Sequence, residues 1–134
     1  PPLDPEQEPP PIRERNLMKI LVNSQGLVLM DEEPVSVPEV KDKLIEFISN
    51  PENREELAIS PDAAIVSLKT QRETPYSIYI DMLDEVMAAY KDLRDAASRS
   101  NYGVPYDALV DDSPQQDQIR EMYPKKISIA EPDS

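Results

Sequence analysis

Neither histidine nor cysteine occurs in the 134 residues. Their absence removes Ser-His-Asp and Cys-His nucleophilic sites and conventional zinc sites together. It leaves the redox compartment undecided, because a chain without cysteine suits any compartment. Basic residues are scarce as well: 14 Lys and Arg stand against 27 Asp and Glu, for a net charge of −13. Phosphates are repelled by such a surface, so neither nucleic acid nor anionic lipid is expected as the main partner. The acidity is read first as a device for solubility. No apolar run approaches the roughly 18 residues that a membrane helix needs, and no signal peptide is visible. The chain opens Pro1-Pro2 rather than with methionine, so an excised fragment is expected.

What is present suits one soluble domain, with 39% apolar and 31% charged residues and enough length for a hydrophobic core. The first eleven residues hold six of the fifteen prolines, with Asp4, Glu6 and Glu8 between them. Having almost nothing apolar to bury, this stretch is expected to follow an extended polyproline-II path and act as a spacer. At about 3.1 Å per residue it would span on the order of 30 Å. A PxxP-type docking ligand is the weaker rival reading.

Leu17-Met18-Lys19-Ile20-Leu21-Val22 and Leu27-Val28-Leu29-Met30 flank the turn Asn23-Ser24-Gln25-Gly26 and read as a β-hairpin, with Gly26 supplying a positive φ. Leu27 and Leu29 face one way, Val28 and Met30 the other, so both faces are apolar. A helix layer is expected over the second face, with another protomer as the alternative. Asp31-Glu32-Glu33-Pro34 breaks the strand. Ser36 and Glu39 form a capping-box pair, and Val40, Leu44, Phe47 and Ile48 then mark one helical stripe. Asn50-Pro51 ends that helix. A polar loop follows to Pro61, with one helical turn expected at residues 52–57.

Ala63-Ala64-Ile65-Val66-Ser67-Leu68 opens as a buried strand, and Thr74-Pro75 supplies an N-cap side chain and a first-turn proline for a helix running to about Ser100. Tyr79, Leu83, Val86, Tyr90, Leu93 and Ala97 form its expected buried stripe, widened by Ile80 and Met87. Gly103 and Pro105 stop it. Residues 106–110 suggest another helical turn. Ser113-Pro114 begins a short amphipathic helix with Ile119, Met122 and Tyr123, which Pro124 closes. The last strand, Lys126-Ile127-Ser128-Ile129-Ala130, puts Ile127 and Ile129 on one face and completes a β-α-β unit beside Ile65–Leu68. Residues 131–134 are expected to fray.

The fold so assembled is α+β: a two-layer sandwich with a mixed β-sheet and two main helices packed on it. Its order is β-β-α-β-α-β, with an extra short helix before the last strand. Residues 1–15 form a linker and 16–132 the domain, which is expected to dimerise.

Asp81 and Glu85, one helical turn apart with Asp84 beside them, are the candidates for carboxylate or metal chemistry. Lacking histidine and a glycine-rich loop nearby, they read far better as a solvated helix face. No enzyme activity, cofactor or metal is therefore expected. The candidate binding residues are Arg72 and Tyr76, types enriched at interfaces, and the strand Lys126, Ile127, Ser128, Ile129 and Ala130. Lys125-Lys126 guards that strand as on an edge, where an extended peptide adds as one more strand.

Asn23-Ser24-Gln25-Gly26-Leu27-Val28-Leu29-Met30-Asp31-Glu32-Glu33-Pro34-Val35, followed by a capped helix, resembles the start of the periplasmic domain of ExbD/TolR proteins. Ala64-Ile65-Val66-Ser67-Leu68 with Gln71-Arg72-Glu73-Thr74-Pro75-Tyr76 is similar to that family's strand and Arg-x-x-Pro-Tyr-like turn. Met122-Tyr123-Pro124-Lys125-Lys126-Ile127-Ser128-Ile129-Ala130-Glu131-Pro132 resembles the ending of longer ExbD variants. The three occur in the family's order and cover about residues 12 to 132.

The resemblance implies a single-pass protein of the Gram-negative inner membrane, attached through a helix outside this sequence, with this domain in the periplasm. It implies ExbB-like and TonB-like partners, with the proton-motive force energising TonB and outer-membrane transport, and residues 1–15 as the periplasmic linker. A TolR-like subunit anchored to peptidoglycan is the alternative. The family's membrane aspartate matches no position here, so proton handling lies outside this sequence. Three departures stand out. Glu32 occupies a place where the family often has a turn glycine, residues 102–123 are longer than in compact members, and the family's short hydrophobic motif is not recognisable in residues 1–11.

Overall fold

The structure, a computed structural model, describes residues 14–133. The expected spacer in residues 1–11 and most of the 1–15 linker lie outside the described residues. A mixed five-stranded sheet is assembled from β1 (Leu17–Val22), β2 (Val28–Met30), β3 (Glu33–Val35), β4 (Ile65–Gln71) and β5 (Ile127–Asp133) in the spatial order β3-β2-β1-β4-β5. The β1–β2 and β2–β3 pairs are antiparallel; β1–β4 and β4–β5 are parallel. Among the described residues three full helices accompany it: α1 (Val40–Ser49), α2 (Tyr76–Tyr102) and α3 (Pro114–Met122). Single 3-10 turns occur at Val37–Glu39 and Tyr106–Ala108.

The helices lie on one face. Alternation along the strands sends Met18, Ile20, Val22, Val28, Met30, Val66 and Leu68 into a common core with Val40, Leu44, Phe47 and Ile48 of α1. Met82, Val86, Ala89, Tyr90 and Leu93 of α2 complete that core. The stripe on α1 is the one its 3.6-residue spacing predicts. On α2 the buried face is turned slightly: Met82 and Ala89 are interior, whereas Met87 is exposed and Ile80 only half-buried. A helix touching the sheet, α1 and α3 together buries a wider arc than a single-sided one.

No helix among the described residues covers the second face of the hairpin, where a helix layer was expected. Leu17, Leu21, Leu29 and Ile65 are half-buried there and Lys19 is exposed. Those apolar side chains shield one another across the strands, as in the Leu21–Leu29 pair.

Asp31-Glu32-Glu33-Pro34 does not end the sheet. Asp31 and Glu32 both adopt left-handed backbone, φ 47° and 72°, and turn the chain into β3, where Pro34 opposes Leu29. Two consecutive left-handed residues match the twist of a two-residue hairpin, and an edge strand tolerates proline. Asp31 also extends the ladder: its amide donates to the Lys19 carbonyl at 2.8 Å and its carboxylate accepts from the Lys19 amide at 3.0 Å.

The capping pair before α1 is realised in altered form. Both the amide and the hydroxyl of Ser36 donate to the Glu39 carboxylate, at 3.1 and 2.6 Å, and these bonds hold the Glu39 carboxyl below its ordinary pKa. Residues 52–57 form turns, not a helical turn. Arg15 ties down this loop by donating to the carbonyls of Leu57 and Arg54 at 2.8 and 2.9 Å. The Asn50 side chain binds Arg54 on both sides and the Ala58 carbonyl. Backbone groups satisfied by side chains need no helix.

β5 returns beside β4 in parallel register, Val66 opposite Ile127 and Leu68 opposite Ile129. It runs on to Asp133, past the point where fraying is expected. No helix among the described residues is long and apolar enough to cross a membrane.

Candidate functional site

The site is built where β4 gives way to α2. The Gln71–Thr74 turn is held by a single threonine. Thr74 Oγ1 accepts from the Gln71 amide at 2.8 Å and donates to the Val22 carbonyl at 2.8 Å, while the Thr74 amide donates back to the Gln71 carbonyl at 3.1 Å. The hydroxyl thus faces backward into the sheet. It does not cap α2, whose first bonds run from Ile78 and Tyr79 to the Pro75 carbonyl. The Gln71 side chain accepts from the Ser24 amide at 2.8 Å, binding the turn to the β1–β2 connection. In that connection Gly26 takes φ +84°, and a Cβ there would come to 3.7 Å from Ile78.

With both ends of the turn fixed, the residues between them face outward. Arg72 is exposed and makes no ion pair with a described residue, Glu73 beside it included. Tyr76 is 75% exposed, and its ring centroid lies 6.1 Å from that of Tyr79 at an interplanar angle of 44°. An exposed, tilted tyrosine pair offers a large amphipathic surface with little rotamer entropy to lose.

A groove of about 310 Å³ runs between this turn and the sheet edge, lined by Arg72, Tyr76 and Tyr79 on one side and by Ile129 and Ala130 on the other. Of the seven residues singled out from sequence, the groove brings together Arg72, Tyr76, Ile129 and Ala130. Ile127 and Ser128 belong to the same strand but lie away from the groove, and Lys126, expected to open the strand, falls just before it. Tyr79, Thr70 and Thr74 are additional lining residues; for Tyr79 the signal is its i, i+3 spacing from Tyr76.

β5 forms one edge of the sheet, with β4 its sole neighbour among the described residues. The Val66 amide donates to the Lys126 carbonyl at 2.9 Å. Parallel pairing alternates along the strand, so the peptide groups of Ile127 and Ile129 turn toward the outer edge. Their side chains share the helix-layer face with Val66 and Leu68. Ile129, beyond the shelter of α2, is nonetheless 54% exposed. An apolar side chain, free backbone groups and the Arg72–Tyr76 rim are therefore contiguous.

Asp81 is exposed and Glu85 half-buried on the outward side of α2. Among the described residues no grouping of three or more acidic side chains is suited to hold a metal ion. No model of a known protein family matches the chain, and no curated protein shows significant similarity to it.

Proposed function

We propose that this chain is the periplasmic domain of an ExbD-type accessory subunit, working with an ExbB-like protein, and that it grips an extended segment of a TonB-like partner along β5. The observation that carries the reading is the juxtaposition of the β5 edge with the Arg72–Tyr76 groove. Main-chain bonds to Ile127 and Ile129 supply affinity that is indifferent to sequence, and the groove beside Ile129 selects one side chain of the incoming strand. Arg72 adds a bidentate donor for a carboxylate on the partner. The order of sequence motifs supports the family assignment, and a mixed sheet with helices on one face suits a domain that works by contact. In this reading the domain carries no reactive centre of its own.

NMR titration with peptides from the cognate TonB-like protein tests the reading. It predicts shifts at residues 127–130 and at Arg72 and Tyr76. Shifts confined to the 81–95 face of α2 would reject edge binding. Co-sedimentation with purified sacculi separates the peptidoglycan-anchoring alternative, since only an anchoring domain pellets with them.

A further inference from the structure

Arg94 lies on the buried stripe of α2 and is only 9% exposed. Its Nε donates to the Tyr123 carbonyl at 3.1 Å, and its guanidinium carbon sits 5.3 Å from the centre of the Tyr106 ring. Its two terminal nitrogens make no hydrogen bond with a described residue, and no carboxylate pairs with it among them. In a chain with 27 acidic residues the fork is left without a carboxylate, its stem buried and its terminal nitrogens open to the groove instead of sealed in the core. Its charged surroundings are cationic: Arg120 and Lys125 both act on it or are acted on by it. Burial, reinforced by the nearby Arg120 charge and partly offset by Tyr106, pushes the guanidinium below its usual pKa. Lys125 is likewise pushed down, first by burial and then by Arg94.

These groups line a groove of about 300 Å³ between α2 and the Tyr106–Ala108 turn, with Met87 and Ala88 as its apolar wall. Lys91, Arg94 and Lys125 bring three cations to it; Asp107 is its one acid. Asp95, just outside, is occupied by Lys91 at 2.7 Å and by the Tyr106 amide at 3.0 Å. The two carboxylates offset two of the three cations and leave one positive charge, centred on a planar fork with free donors. A monoanion balances that charge, whereas a phosphate dianion would overfill it beside Asp107.

We infer that this groove is a binding site for a single carboxylate on a small ligand, such as the C-terminus of a short peptide, with Arg94 as its principal donor. Lys125 closes on the same carboxylate, and a small apolar side chain rests against Met87, Ala88 and the Tyr106 ring. The site lies apart from the β5 edge and does not depend on the function proposed above.

Titration of the full chain with N-acetylalanine, its amide and inorganic phosphate, followed by NMR, tests the inference. Saturable shifts are expected around Ala88, Arg94 and Asp107, with Kd on the order of 1–10 mM for N-acetylalanine. The amide and phosphate should bind at least about tenfold more weakly. Arg94→Gln should lose roughly 10- to 100-fold in affinity. Because that variant disturbs an interior position, Lys125→Met serves as the second probe; Lys125 is exposed, and its loss should weaken binding about threefold or more with the spectrum elsewhere unchanged. Absence of saturable binding, equal binding of the amide or of phosphate, or full affinity in Lys125→Met overturns the inference.

Discussion

The Thr74 hydroxyl and the Val22 carbonyl, 52 positions apart in the chain, meet at 2.8 Å and fasten the β4–α2 turn to the end of the central strand β1. The same oxygen accepts from Gln71 at 2.8 Å. Thr74→Val keeps the shape of the side chain and removes both bonds, leaving an amide and a carbonyl without partners. The expected loss is about 1–3 kcal/mol, read as a lower midpoint in urea denaturation at unchanged m-value. The displaced turn should also weaken partner binding through Arg72 and Tyr76.

Glu32 stands at φ 72° in the turn between β2 and β3. A side chain there crowds its own carbonyl, and glycine does not. Glu32→Gly should therefore stabilise the domain by about 1 kcal/mol, a rise of about 4–8 °C in melting temperature for a domain near 100 residues. Calorimetry of the two chains checks this.

Tyr90 is fully buried, and burial pushes its phenol up to about 12, offset in part by the Arg94 charge and by the backbone of Lys126. Its oxygen makes no hydrogen bond of full geometry. The unfolded chain loses this proton near pH 10. Between that value and the folded one the unfolded state binds fewer protons, so stability falls as pH rises. Denaturation curves should show a loss of about 2 kcal/mol between pH 9 and pH 12 assignable to this group. The same comparison in Tyr90→Phe should lack that component, and the variant should match or exceed the parent in stability at pH 7.

Arg72 and Tyr76 are exposed; Arg72 makes no ion pair with a described residue, and the Tyr76 ring leans on that of Tyr79 at the surface. Replacing either with alanine should leave the melting temperature within about 1–2 °C, since exposed positions contribute within about 0.5 kcal/mol. On the proposed function, each change should cost 1 kcal/mol or more, about fivefold or greater, in affinity for the partner segment. Isothermal titration calorimetry with the same peptide distinguishes the two effects.

Much of this architecture is written in short-range signals. The spacing of Val40, Leu44, Phe47 and Ile48 gives the buried face of α1 directly, because one apolar stripe at 3.6-residue intervals has one way to be hidden. The alternating hairpin and the return of β5 beside β4 follow from period-2 strands joined by a long helix. β3 was not legible, because Pro34 and a pair of acids at left-handed φ carry the usual marks of a break, and only an edge position makes them compatible with pairing. That no described helix covers the second face of the sheet was equally hidden, since half-buried leucines look the same in a sequence as fully buried ones. In the candidate site, Arg72, Tyr76 and the last strand were visible by residue type, whereas their meeting in one groove is a product of tertiary register. Arg94 has the sequence signature of one more charge on a long helix. Its position, four residues after Tyr90 and three before Ala97, was the available sign that it points inward.

The central claim is that β5 offers its outer backbone to another chain, and Ile129→Pro tests it most directly. The Ile129 amide is turned away from β4, so proline at this edge position removes a donor the fold does not use. The account predicts a chain that melts near the parent temperature and binds the TonB-like segment at least about tenfold more weakly. A folded Ile129→Pro chain that binds that segment with the parent's affinity would contradict it.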